Sequence, residues 1–168
     1  FVTDEVIIVV IESVDATDKE QLARLTAGLN TIAEMEVVQR VYSVVNAQRV
    51  ISGAGSVQVR TFAEEVAANP SRAKELLEEI QEDPLTEFLV SEGGEHLAVV
   101  VELHPDPSRQ AETGPAIIAE VEGALQSAGF EGDRLHKAGF PATMAAILQE
   151  SVASVTVLLP FVACTLFF

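Results

Sequence analysis

Three histidines, one cysteine and a run of carboxylates are the side chains best suited to chemistry, and their spacing assigns them little of it. His96, His104 and His136 are far apart and lack the His-x3-His spacing that sets two imidazoles on one helical face. His96 and His104 flank an apolar run and read as exposed strand-end residues. Cys164 is the only cysteine, which excludes an internal disulfide and a multi-cysteine zinc site. Its apolar surroundings disfavour the thiolate. Nothing marks a nucleophile elbow. Gly53-Ala54-Gly55 has no Lys-Ser/Thr after it, so it is read as a flexible link rather than a phosphate loop. The stretch Glu75 to Glu95 holds repeated carboxylates and no basic residue. It reads as a solvated helix face, with repulsion of anionic headgroups or attraction of a cationic partner as the functional alternative. No catalytic, metal-binding or cofactor-binding residue is assigned, no cofactor is expected, and the chain is not expected to be an enzyme.

Composition narrows the classes further. The chain has 168 residues, 26 acidic and 10 basic, for a net charge of −16, and 48% of it is apolar. This length suits one domain, or one domain with an appendage, and it can bury a core without disulfides. The apolar fraction excludes a disordered chain. Scattered basic residues under a large negative charge argue against nucleic acid as a partner, because phosphate contacts need clustered Lys and Arg.

The two ends carry the strongest signal. No basic segment precedes an apolar core at the N-terminus, so no signal peptide is expected. From Val152 to Phe168 there is no charge at all. A membrane-spanning helix needs about 20 such residues. A buried helix of a soluble protein keeps a polar stripe, whereas this run has only Ser154, Thr156 and Thr165. The expectation is a chain that ends inside a transmembrane helix, with Pro160 tolerated there and Phe1 as the tail of an earlier span.

The elements that would position these residues follow from periodicity. Val6 to Ile11 is a continuous β-branched run, which fits a central strand covered on both faces. Thr17 and Glu20 have capping-box spacing ahead of a helix carrying Leu22, Leu25, Leu29 and Ile32. Val37 to Val45 reads as a second strand. An insert follows over about 47–95: a loop at Ser52 to Ser56, a short helix from Phe62 to Ala68 ended by Asn69-Pro70, a helix capped by Ser71 and running through Asp83, and a turn at Glu92 to Glu95. His96 to His104 is a third strand with a continuously apolar centre. Thr113-Gly114-Pro115 opens a helix that Gly129 ends. Arg134 to Phe140 is a fourth strand of mixed character, as an edge strand should be. Pro141 then starts a helix that leads into the apolar tail.

The order β-α-β-(insert)-β-α-β is the ferredoxin-like arrangement of an α+β domain. In that fold the first and third strands are central, and these are the two most apolar runs here. The end of the fourth strand lies beside the start of the first, so both termini leave from one side. A domain of that kind can be strung between two consecutive membrane helices.

In these residues the chain resembles the first large extracytoplasmic loop of RND-superfamily exporters, in the MMPL or "predicted exporter" branch. The similarity lies in Asp4-Glu5-Val6-Ile7-Ile8-Val9-Val10, Leu22-Ala23-Arg24-Leu25, Val37 to Ile51, Asp83-Pro84-Leu85, Leu89 to Gly94 and Gly139-Phe140-Pro141. It covers nearly the whole chain, as an ordered set rather than one diagnostic motif. The resemblance implies an extracytoplasmic (periplasmic) porter subdomain over 1–140 and a helix leading into a truncated transmembrane span over 141–168. It implies a proton-driven, multi-pass exporter of the inner (plasma) membrane. Implied partners are membrane lipid, hydrophobic or lipid-like cargo and a second porter domain of the same full-length chain, with a homo-oligomer left open. The coupling carboxylates of such exporters lie in a later helix, and Glu150 is not assigned that role. Substrate-binding residues stay unassigned. The competing reading is a membrane-anchored ferredoxin-like sensor or binding module; an enzyme on the same scaffold has no catalytic constellation to support it.

Overall fold

A computed structural model describes residues 6–53, 56–104, 110–139, 141–143, 146, 147, 150, 151, 154 and 156. The run of strand-forming residues at the start becomes β1 (Val6–Glu12), followed by α1 (Lys19–Ala33) and β2 (Val38–Ser43). Next come β3 (Gln48–Gly53), β4 (Ser56–Thr61), α2 (Phe62–Ala68) and α3 (Ala73–Gln81). The chain then forms β5 (His96–Leu103), α4 (Gln110–Ser127) and β6 (Leu135–Ala138). Residues 141–143 are helical, as are the described residues beyond them.

The protein is an α+β structure built on a four-stranded antiparallel sheet in the order β2-β5-β1-β6. β1 and β5 are the central strands and β2 and β6 the edges, as the apolar content of the four runs implied. Inward-facing Ile7, Val9, Ile11, Leu97, Val99 and Val101 are buried together with Leu22, Leu25, Leu29 and Ile32 of α1 and with Ile118, Val121 and Leu125 of α4. Both long helices therefore pack on one face of the sheet. They approach closely at Gly28, where a Cβ would stand 3.2 Å from the Ala128 Cβ.

Several expectations need correction. The continuous apolar runs suggested strands covered on both faces, but burial alternates along β1 and β5. Val6, Ile8, Val10, Ala98 and Val100 are only half-buried on the side away from α1 and α4. The N-cap of α1 is Asp18, which accepts from the backbone of Glu20 and Gln21. The Thr17 hydroxyl is engaged upstream, donating to Asp15 Oδ1 at 2.6 Å. The helix expected to open at Thr113-Gly114-Pro115 begins at Gln110 and contains Pro115 in its interior, where one backbone donor is missing. A 3₁₀ turn at Pro70–Arg72 precedes α3, so Ser71 does not cap it, and α3 stops at Gln81.

The insert between the second and third strands of the main sheet is not purely helical. The segment read as a loop is the end of a β-hairpin, β3 against β4, paired from Gln48↔Thr61 to Gly53↔Ser56; Ala54 and Gly55 lie outside the described residues. The apolar run Val152–Phe168 also lies outside them, apart from Ser154 and Thr156. Among the described residues no helix is long and apolar enough to cross a membrane.

Candidate functional site

Strand β2 ends in a 3₁₀ turn, Val44–Asn46, and Asn46 fixes the change of direction. Its side chain accepts from the Ser43 N–H at 2.8 Å and donates to the Val41 carbonyl at 2.7 Å. The chain then turns into β3, and the base of the hairpin is closed by the Phe62 N–H on the Ala47 carbonyl at 3.1 Å. The Thr61–Glu64 capping box starts α2 directly after the hairpin, and Phe62 is fully buried. An arm of two short strands is thereby anchored at a rigid corner.

An ion-pair cluster holds the arm to the helices. Arg49 Nη1 donates to Glu65 Oε2 at 2.6 Å, and Arg49 also pairs with Glu79. Glu65 is buried on α2, and a carboxylate there needs a charged donor to offset its lost hydration. Beside it, Arg72 makes two 3.0 Å bonds to Glu75. That hydrogen bonding holds the Glu75 carboxyl below the usual carboxylate range and raises the Arg72 guanidinium.

Beside the root of this arm, between β2 and the segment after α3, lies an open groove of about 690 Å³. Arg40, Tyr42 and Val100 supply its sheet wall, Asn46, Ala47 and Gln48 its corner, and Leu85, Thr86, Phe88 and Leu89 its far wall. The surface it exposes is mostly apolar, with Arg40, Asn46, Gln48 and Thr86 as polar groups in the lining, the pattern of a surface that recognises an apolar partner group. Arg40 donates to the Tyr42 hydroxyl at 3.0 Å, which raises the guanidinium further above its ordinary value.

The histidines divide. His96, Glu12 and His136 sit on three adjacent strands, and both imidazole Nε2 atoms face one carboxylate oxygen, at 3.9 Å and 3.2 Å. Sequence separation hid this meeting; it became visible only with the strand register Glu12↔His96 and Val10↔His136. His104 is elsewhere, its N–H on the Val37 carbonyl. Among the described residues no group of three His, Cys, Asp or Glu is arranged to hold a metal ion. Cys164 lies outside the described residues. Within the acidic stretch, Glu78 and Glu82 are exposed and Glu75 and Glu79 are tied to arginine, so it is partly a structural face rather than only a solvated one.

Compared with family models and with curated proteins, the chain matches none.

Proposed function

We propose that the chain is the extracytoplasmic porter subdomain of a proton-driven RND-type membrane exporter of hydrophobic or lipid-like molecules, with a ferredoxin-like body. The strand order β2-β5-β1-β6, antiparallel throughout, supports that topology. One observation carries the functional reading: the end of the body lies on its beginning. Gly139, just past β6, is in contact with the backbone of Val6, where β1 starts. Chain entering and chain leaving are adjacent, so two neighbouring membrane helices can hold the body at one place.

The mechanism is mechanical. The sheet with α1 and α4 is a single packed unit, and such units tilt as bodies rather than deform. Displacement of the attached helices tilts the unit and opens or closes the apolar groove to cargo. Cargo shifts the equilibrium only as far as it binds one tilt better than the other.

The test is transport by the full-length protein in proteoliposomes carrying a fluorescent lipid. A pH gradient is expected to drive lipid movement and a protonophore to abolish it. Movement independent of the gradient, or a full-length chain with a single apolar span, contradicts the proposal.

A further inference from the structure

The C-terminal helix starts on the last residues of the sheet. β6 ends at Ala138, and both the N–H and the hydroxyl of Thr143 donate to the Gly139 carbonyl at 3.0 Å. β6 itself is clamped. It pairs with β1 from Ile8↔Ala138 to Ile11↔Leu135. Lys137 Nζ donates to Glu122 Oε2 on α4 at 2.7 Å, and Gly139 lies against Val6. A body that tilts against its helix needs a joint, and a strand held on both sides is a poor place for one.

The first turn of the C-terminal helix rests on α4. Pro141 and Gly114 are both buried. A Cβ on Gly114 would stand 3.9 Å from the Cβ of Pro141 and from its carbonyl oxygen. Beyond that contact Ala142 is only partly buried against the core, and Thr143 is exposed.

The residue after Gly114 is Pro115, the sixth of α4. A proline there has no N–H for the carbonyl four residues back, and its ring crowds that carbonyl. Gly and Pro are the two weakest helix formers, and proline is where helices bend sharply. On the C-terminal side of this point α4 is fixed to the sheet. Ile118, Val121, Ala124 and Leu125 are buried, and α1 packs on the helix at Gly28. On the N-terminal side Gly114 faces Pro141.

We propose that Pro115 is a hinge. The first turn of α4, up to Gly114, moves with the start of the C-terminal helix at Pro141, while α4 from Ile118 onward stays with the sheet. The joint lets the C-terminal helix change its angle without parting β6 from β1. What drives the joint rests on the transport reading; its presence does not, and its test needs no transport.

The experiment is amide 15N relaxation dispersion on the 168-residue chain in neutral maltoside micelles, which reports microsecond-to-millisecond exchange. One process with a common rate is expected at Gly114, Ala142 and Thr143, and none at Ile118 to Leu125 or in β1. Pro115→Ala restores the missing helical donor and is expected to cut the exchanging population about tenfold or more. Gly123→Ala lies in the same helix with nothing near its Cβ and is expected to leave the process unchanged. Pro141→Ala trims the contact and is expected to give Gly114 and Thr143 separate rates. Circular dichroism checks that each variant keeps the parent fold. A single process spanning all of α4 overturns the proposal, as does a Gly114 amide without exchange or exchange indifferent to Pro115→Ala. Absence of lipid transport with this pattern intact counts against the transport reading alone.

Discussion

Gly139 lies against the backbone carbonyl of Val6 with no space for a Cβ between them, and its φ of +105° is in the region that favours glycine. Closure of the body at this point depends on both facts. Gly139→Ala is expected to destabilise the protein by about 2 kcal/mol or more, combining left-handed strain with a backbone clash. Urea unfolding measures it. A variant as stable as the parent would show that β6 does not need this close approach.

The crossing of α1 and α4 gives a paired prediction. Gly28→Leu pushes a side chain against Ala128 and Leu125 and is expected to cost about 1–3 kcal/mol. Gly123, also within α4, has nothing within 4 Å of a Cβ. Gly123→Ala is expected to be neutral or stabilising by up to about 1 kcal/mol. Equal effects in the two variants would contradict the described helix contact.

How much of this was legible in the sequence depends on how local each signal is. α2 was readable to the residue, and Asn69-Pro70 marks its end within the segment itself; the Thr61–Glu64 capping box that starts it is equally local. The same holds for the end of α4, where the Gly129 N–H donates to the Gln126 carbonyl and the Phe130 N–H to the Leu125 carbonyl. The hairpin was missed because its strands cover no core: Val50 and Val59 alternate with polar residues on an arm paired only with itself. Thr17 and Asp18 both suit an N-cap, and the choice between them turned on Asp15 capturing the Thr17 hydroxyl. The groove was beyond sequence reasoning, since β2, the hairpin root and Phe88 are brought together only by the tertiary fold. The half-buried sheet face was hidden for a related reason: a continuous apolar run does not say which of its faces has a cover.

Arg49 fastens the hairpin arm, and its removal leaves Glu65 buried without its cation. Arg49 is one-quarter exposed at its side chain, so the full cost of breaking a buried pair is discounted for solvent, to roughly 1–2 kcal/mol for Arg49→Met. Hydrogen exchange is expected to speed up at the amides of 48–61 before it changes in β1 or β5. Uniform acceleration throughout the protein would contradict a local fastening.

Asp18 links the start of α1 to pH. The bond from the Glu20 N–H, at 2.7 Å, holds its carboxyl below the ordinary value of 3.8. A folded value below the unfolded one means that the stabilisation is present above about pH 3.8 and is lost as pH falls through the lowered folded value. Asp18→Asn keeps an acceptor for the cap but has no charge to titrate. The parent is expected to lose thermal stability more steeply than Asp18→Asn on acidification through this window. Parallel curves would show that the cap does not depend on the carboxylate.

The central claim is that the uncharged C-terminal stretch inserts in lipid beside a body whose two ends meet. Flotation with phospholipid vesicles, after a high-salt and alkaline carbonate wash, tests it most directly. The 168-residue chain is expected to rise with the vesicles and the chain truncated after Gln149 to remain in the aqueous layer, folded. Both remaining in the aqueous layer would contradict the claim, and with it the reading of this protein as part of a membrane exporter.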